Sequence, residues 1–159
     1  MSFFNTMNIS ASGLTAQRLR MDTIAENIAN VNTTRTADGG PYRRKTVLFE
    51  EITADPFSTV FSNIFGGVGS VPAQQGMGVR VSHIVDDESP GLLTFDPSHP
   101  DANRDPSSPE YGYVRMPNVN IVEEMVNMIA ATRSYEANIT AMGTVRTMVQ
   151  RTLEIGQGR

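Results

Sequence analysis

Residues 7–32 read MNISASGLTAQRLRMDTIAENIANVN. Met7, Leu14, Met21 and Ile28 recur every seven residues, and Ser10, Gln17, Ile24 and Val31 fill the companion positions of a 3-4 spacing. That periodicity predicts a helix over about Asn5 to Asn32 with a coiled-coil-like seam. Ser10 and Gln17 put polar groups on the stripe, and Ala11 and Ala25 lie beside it. Gly13 is a weak point, costing about 1 kcal/mol against alanine in a helix interior. Some 25 helical residues reach roughly 35–40 Å.

At the other end of the chain the pattern returns. Ile121, Met125, Met128, Thr132, Tyr135, Ile139, Met142, Val149 and Leu153 follow the same spacing, with Arg146 as one charged intrusion. Val122, Val126, Ile129, Val145 and Met148 widen the apolar face. Pro117 lies just upstream, and Asn120 followed by Glu123 has the spacing of a capping box. A helix from Asn120 to about Leu153 runs roughly 50 Å, and Gly156 and Gly158 suit its end. Both seams are rich in Met and Ala, and flexible Met packs against non-identical neighbours.

Between the helices, from Thr33 to Asn118, sit all nine prolines. Gly39-Gly40-Pro41, Gly66-Gly67 and Ser107-Ser108-Pro109 read as turns or loops. Short β-like runs separate them: Arg43 to Ile52, Val79 to Val85 with a period of two, Leu92 to Phe95, and Tyr111 to Met116. The stretch from Pro97 to Pro109 is expected to be mobile until something packs on it. The fold class that follows is α+β: long N- and C-terminal helices forming a coiled-coil-like bundle, with a small β-rich module between them. The segments are 1–33, 34–118 and 119–159.

The composition narrows the function. Of 159 residues, 39% are apolar and 19% charged, both below ordinary globular shares, so the position of the apolar residues carries the information. A net charge of −4, with basic residues scattered and Arg43-Arg44-Lys45 the tightest run, argues against nucleic acid. The absence of Cys excludes disulfides and cysteine zinc sites. Nothing approaches the length of a membrane span. Met1 to Asn5 lacks the basic and apolar parts of a secretory signal, so export is expected to use a route that reads no cleaved signal.

Site-like groupings have plain readings. Asp96, His99 and Asp101 could be drawn as a metal site, but they read as a Pro-rich turn whose side chains hold its own backbone. His83 reads as a hydrogen-bonded packing residue. Asp86-Asp87-Glu88 and Glu50-Glu51 read as solvated acidic runs, not as a glycosidase pair. Gly76-Met77-Gly78 is too short for a phosphate loop. No cofactor is expected. Asn27, Asn30 and Asn32 read either as a frayed helix end or as hydrogen-bonding residues that fix the turn into the β module.

Ser12-Gly13-Leu14, Gln17, Arg18 and Asn27-Ile28-Ala29-Asn30-Val31-Asn32-Thr33 resemble the N-terminal signature of the flagellar axial proteins, the family of rod and hook subunits. Thr34 to Asp38 intervenes before Gly39-Gly40-Pro41-Tyr42-Arg43-Arg44, which is similar to a proximal-rod branch of that family. Asp96 to Ala102, Gly112-Tyr113-Val114, Pro117-Asn118-Val119-Asn120, Glu123-Glu124-Met125 and Arg133 to Asn138 resemble it too. The resemblance implies a structural subunit, not an enzyme, whose terminal helices line a tube. It implies export through the flagellar type III apparatus without cleavage. It also implies neighbours that are further copies, other proximal and distal rod proteins and the adaptor at the rod base. Leu14, Gln17, Met21, Asn27, Ile28, Asn30, Asn32, Met125, Met128, Tyr135, Glu136, Asn138, Ile139 and Met142 are the expected subunit-contact residues. The alternatives are another rod or hook member, a non-flagellar helical adaptor or chaperone, and, more distantly, a hydrolase.

Overall fold

The computed structural model describes residues 3–37, 39–53 and 77–157. Gly66-Gly67, read above as a loop, Gly158, read as a helix end, and Gly76 lie outside them. Helix α1 (Phe3–Ala29) opens the chain and helix α2 (Ile121–Gln157) closes it. Among the described residues four strands lie between: β1 (Lys45–Glu51), β2 (Val79–Asp86), β3 (Leu93–Phe95) and β4 (Tyr113–Arg115). β1 pairs with β2, and β3 with β4.

The helix boundaries differ from the sequence reading in two places. α1 stops three residues before Asn32. The Asn30 amide nitrogen donates to the Glu26 carbonyl at 2.9 Å, and Thr33 N returns to Asn30 O at 3.0 Å. Glu26 O also keeps its helical donor, Asn30 N at 3.1 Å, but Val31 N turns to Ile28 O at 3.4 Å, so i−3 bonds tighten the last turn and the chain turns. α2 runs through Gly156 to Gln157 instead of ending near Leu153. At its start Asn120 Oδ1 accepts from Val122 N at 3.0 Å, an N-cap. The Glu123 carboxylate receives Arg44 instead of closing a capping box.

The chain forms two compact units: Met1–Arg18, Phe49–Ser82 and Arg133–Arg159 in one, Leu19–Leu48 and His83–Thr132 in the other. In the first, Ser12 Oγ accepts from Val79 N at 3.1 Å while donating to Ile9 O at 2.7 Å, which fixes the start of β2 against α1. Gly78, with φ +123°, permits this approach: a Cβ there would lie 2.3 Å from Ser12 Oγ. Gly13 faces Asn138, whose amide would stand 3.1 Å from an added Cβ. Ser12-Gly13 is thus a docking pair, and the glycine permits close helix approach.

In the second unit α1 and α2 run antiparallel, with Asn27 beside Glu124 and Met21 beside Thr132. β3 and β4 are antiparallel, with Leu93 opposite Arg115, Thr94 opposite Val114 and Phe95 opposite Tyr113. Val114 points into the unit and is buried, whereas Phe95 and Tyr113 stack edge-on at 5.2 Å on the outer face. The stretch from Pro97 to Pro109, expected to be mobile, has a defined path. Ser98, Asp101, Asp105 and Ser107 each donate a backbone N–H to a side chain two residues earlier: Asp96, His99, Asn103 and Asp105 respectively. Short polar side chains replace the missing ladder partners there. His83 lies on β2 and is exposed.

The α1 seam follows the sequence reading. Met7, Ser10, Leu14, Gln17, Met21, Ile24 and Ile28 are all at least half-buried, and Ala16, Thr23 and Asn27 are buried beside them. The α2 seam is rotated by one position. Its covered row is Glu124, Met128, Ala131, Tyr135, Asn138, Met142, Val145 and Val149, again a 3-4 repeat. Ile121, Met125, Ile139 and Leu153, placed on the seam by their apolar character, are exposed, as is Thr132, whose hydroxyl still reaches Met21 of α1. The small or polar residues Ala131 and Asn138 lie inward because they let the helices approach.

Candidate subunit-contact site

Where α1 ends and α2 begins, one asparagine organises three segments. Asn27 is 1% exposed, and its amide uses its full capacity of two donors and two acceptor positions. Nδ2 donates to Lys45 O and to Glu124 Oε2, both at 2.9 Å. Oδ1 accepts from Lys45 N and from Tyr42 O–H, both at 2.9 Å. Glu124, equally buried, receives Arg44 through Nε at 2.8 Å and Nη2 at 2.7 Å. Arg44 N donates to Asn118 Oδ1 at 2.7 Å, and Asn118 Nδ2 donates to Asp87 O at 3.0 Å. A buried charge is tolerable only when paired and saturated with hydrogen bonds, and Glu124 meets that condition.

The electrostatics follow from this geometry. Burial, reinforced by Glu26, Asp86 and Glu124, pushes the Tyr42 phenol up to about 12, so it stays a neutral donor to Asn27. Burial alone would lower the Arg44 pKa, but the hydrogen bond and charge of Glu124 more than reverse it and leave it raised. Lys45 Nζ pairs with Glu26 and lies 5.7 Å from the Tyr42 ring centroid.

Asn27, expected to contact a neighbouring subunit, has its four hydrogen-bonding positions filled inside the chain, where they fix the turn into the β module. Asn30 is likewise occupied, by the Glu26 carbonyl and by Thr33 Oγ1. Asn32 is exposed. Leu14, Gln17, Met21, Ile28, Met128, Tyr135, Asn138 and Met142 are half-buried along the helix seams. Gln17 Oε1 is buried without a hydrogen-bond partner. Met125, Glu136 and Ile139 are exposed. Asp96, His99 and Asp101 are used within their own turn or by Thr34, as separate contacts and not as a joint site.

On α2 lies a surface of which the sequence reading named only Met125 as a contact residue. Val122, Met125, Val126 and Ile129 are 64%, 48%, 61% and 55% exposed. At 100° per residue they share one stripe, turned away from the Glu124–Ala131 row. The helix therefore faces its own partner with small and polar groups and presents bulky apolar ones outward. Apolar groups clustered this way mark an interaction surface. Their spacing was visible in the sequence, but their direction was not.

Two family models match the chain: the flagella basal body rod protein family over residues 7–35, and the C-terminal family of flagellar basal body rod FlgEFG proteins over residues 111–155. The matched regions contain α1 with Asn27 and α2 with its stripe. Curated relatives match from end to end. The flagellar basal-body rod protein FlgC of Borreliella burgdorferi is 45% identical over 99% of this chain and 100% of its own. The FlgC of Bacillus subtilis is 43% identical over the same shares, and that of Salmonella typhimurium is 37% identical, also over 99% and 100%. On that identity and coverage, the chain belongs to the FlgC family of flagellar basal-body rod proteins.

Proposed function

We propose that the chain works by assembly, as a structural subunit of the proximal part of the basal-body rod. The observation that carries this is the outward apolar stripe of α2 on a subunit whose own helix pair is already closed by the Asn27–Glu124 cluster. A seam satisfied inside the chain leaves the stripe for neighbours. Burial of such a stripe contributes about 25 cal/mol per Å², before the cost of ordering is subtracted.

The neighbours in this reading are further copies of the chain, other proximal and distal rod proteins, and the adaptor at the rod base. The rod section it forms lies in the periplasmic space. Delivery is through the flagellar type III export apparatus, with the N-terminal residues kept. Support comes from the relatives and from α1: Ser12 and Gly13 hold β2 and α2, so the subunit needs its N-terminal turns. The subunit's role in this reading is mechanical, with no catalysis.

Isolation of intact basal bodies from the native organism tests this. The chain should be recovered in the rod fraction, and deletion of its gene should leave the membrane rings without a rod. Complete rods in the deletion strain would sink the proposal.

A further inference from the structure

The exposed face of α1 differs in kind from that of α2. Arg18, Asp22, Ala25 and Ala29 are exposed and fall within about 60° of one another at 100° per residue. Two alanines one turn apart make a flat strip, where a neighbouring helix can come close. On α2, Val122, Met125, Val126 and Ile129 make a ridge, and the same stripe continues one and two turns later into exposed Arg133 and Glu136. Each stripe lies on one unbroken helix. Among the described residues, Arg18, Asp22, Arg133 and Glu136 make no ion pair within the chain.

We infer that the Val122–Ile129 ridge receives the Ala25/Ala29 strip of a second copy of this chain, with the two helices antiparallel. The inference rests on the reading of the chain as a rod subunit and adds the partner and the register. Charge decides the register. With Ala25 set opposite Ile129 in antiparallel sense, Ala29 falls opposite Met125, Asp22 beside Arg133 and Arg18 opposite Glu136. Both charge pairs are then of opposite sign. With the same two residues opposed in parallel sense, Asp22 falls on Val126 and Arg18 on Val122, and charges would be desolvated against apolar groups without partners. Size agrees with charge, because large residues on one face meet small ones on the other. The contact joins two different patches, so it is head-to-tail: each added copy leaves one free strip and one free ridge. Such contacts close into rings or continue as helical assemblies.

The chain has no cysteine, which makes cross-linking a clean test. Two tagged forms, Ala25→Cys and Ile129→Cys, are co-expressed, and isolated basal bodies are oxidised. A dimer band that requires both forms is expected, and Ala29→Cys with Met125→Cys should behave the same. Adding Asp22→Arg to the first form should weaken the band several-fold, and adding Arg133→Asp to the second should restore it. Both forms present in basal bodies with no mixed dimer, or a band indifferent to charge reversal, would overturn the register while leaving the rod-subunit reading intact. Absence of the untouched chain from basal bodies would overturn that reading instead.

Discussion

Replacing Asn27 with alanine removes four hydrogen bonds from a site that water reaches poorly. Lys45 is half-buried, so its N–H and carbonyl can recover solvent. Tyr42 and Glu124 cannot do so easily, being 7% and 1% exposed. A buried group left unsatisfied costs about 1–3 kcal/mol, more when charged. Glu124 keeps Arg44, which limits its share. Two stranded groups plus the void left by the amide give a loss of about 3–5 kcal/mol. With a urea slope of about 1–3 kcal/mol/M, the unfolding midpoint should fall by roughly 2 M. The assay is urea denaturation of the purified chain followed by circular dichroism. A loss below about 1 kcal/mol would show that the cluster does not tie α1, β1 and α2 together and would refute the reasoning.

Three further outcomes follow from other contacts. Tyr42 binds its proton more tightly when folded, so the folded chain holds more protons between pH 10 and about 12. Stability should fall as pH rises through that window and be insensitive to this group below it; Tyr42→Phe should flatten that part of a stability–pH curve. Gly13→Ala should not deliver the usual helix gain of about 1 kcal/mol, because the new methyl meets the Asn138 amide. The gain should appear in an Asn138→Ala background, and thermal melts of the four variants provide the check. Mass spectrometry of the chain from basal bodies should find Ser12 and Gly13 present, since cleavage at the usual depth of about 15–30 residues would remove both docking residues.

Much of the fold was legible because periodicity is a local property. The two terminal helices and the four described strands lie where the 3-4 spacing and the short β-like runs put them, displaced by a few residues at the ends. Backbone bonds set the α1 end, and spacing does not reveal them: Val31 N bonds Ile28 O and Thr33 N bonds Asn30 O, so α1 ends before Val31, although Val31 continues the stripe. The rotation of α2 was not legible. One side of the Met128–Tyr135 line carries Met125, Thr132 and Ile139 and the other Glu124, Ala131 and Asn138, so apolar character alone favoured Met125 and Ile139 over Ala131 and Asn138. Only the opposing Gly13 and Asn27 decide between them. Asn27 was singled out, but its partners Tyr42, Lys45 and Glu124 are 15 to 97 residues away in the chain, and no local pattern connects them. The family resemblance stood on contiguous motifs, two of which contain Tyr42 and Glu124.

The central claim is that α2 keeps its polar and small residues for its own chain and its bulky apolar ones for a neighbour. Val126→Asp tests it most directly, because the side chain is 61% exposed in the subunit. Two quantities are measured on the same variant: the urea midpoint of the purified chain and the amount of chain in isolated basal bodies. The account predicts an unchanged midpoint together with loss of the chain from the rod. Incorporation at the normal level with an unchanged midpoint would contradict it.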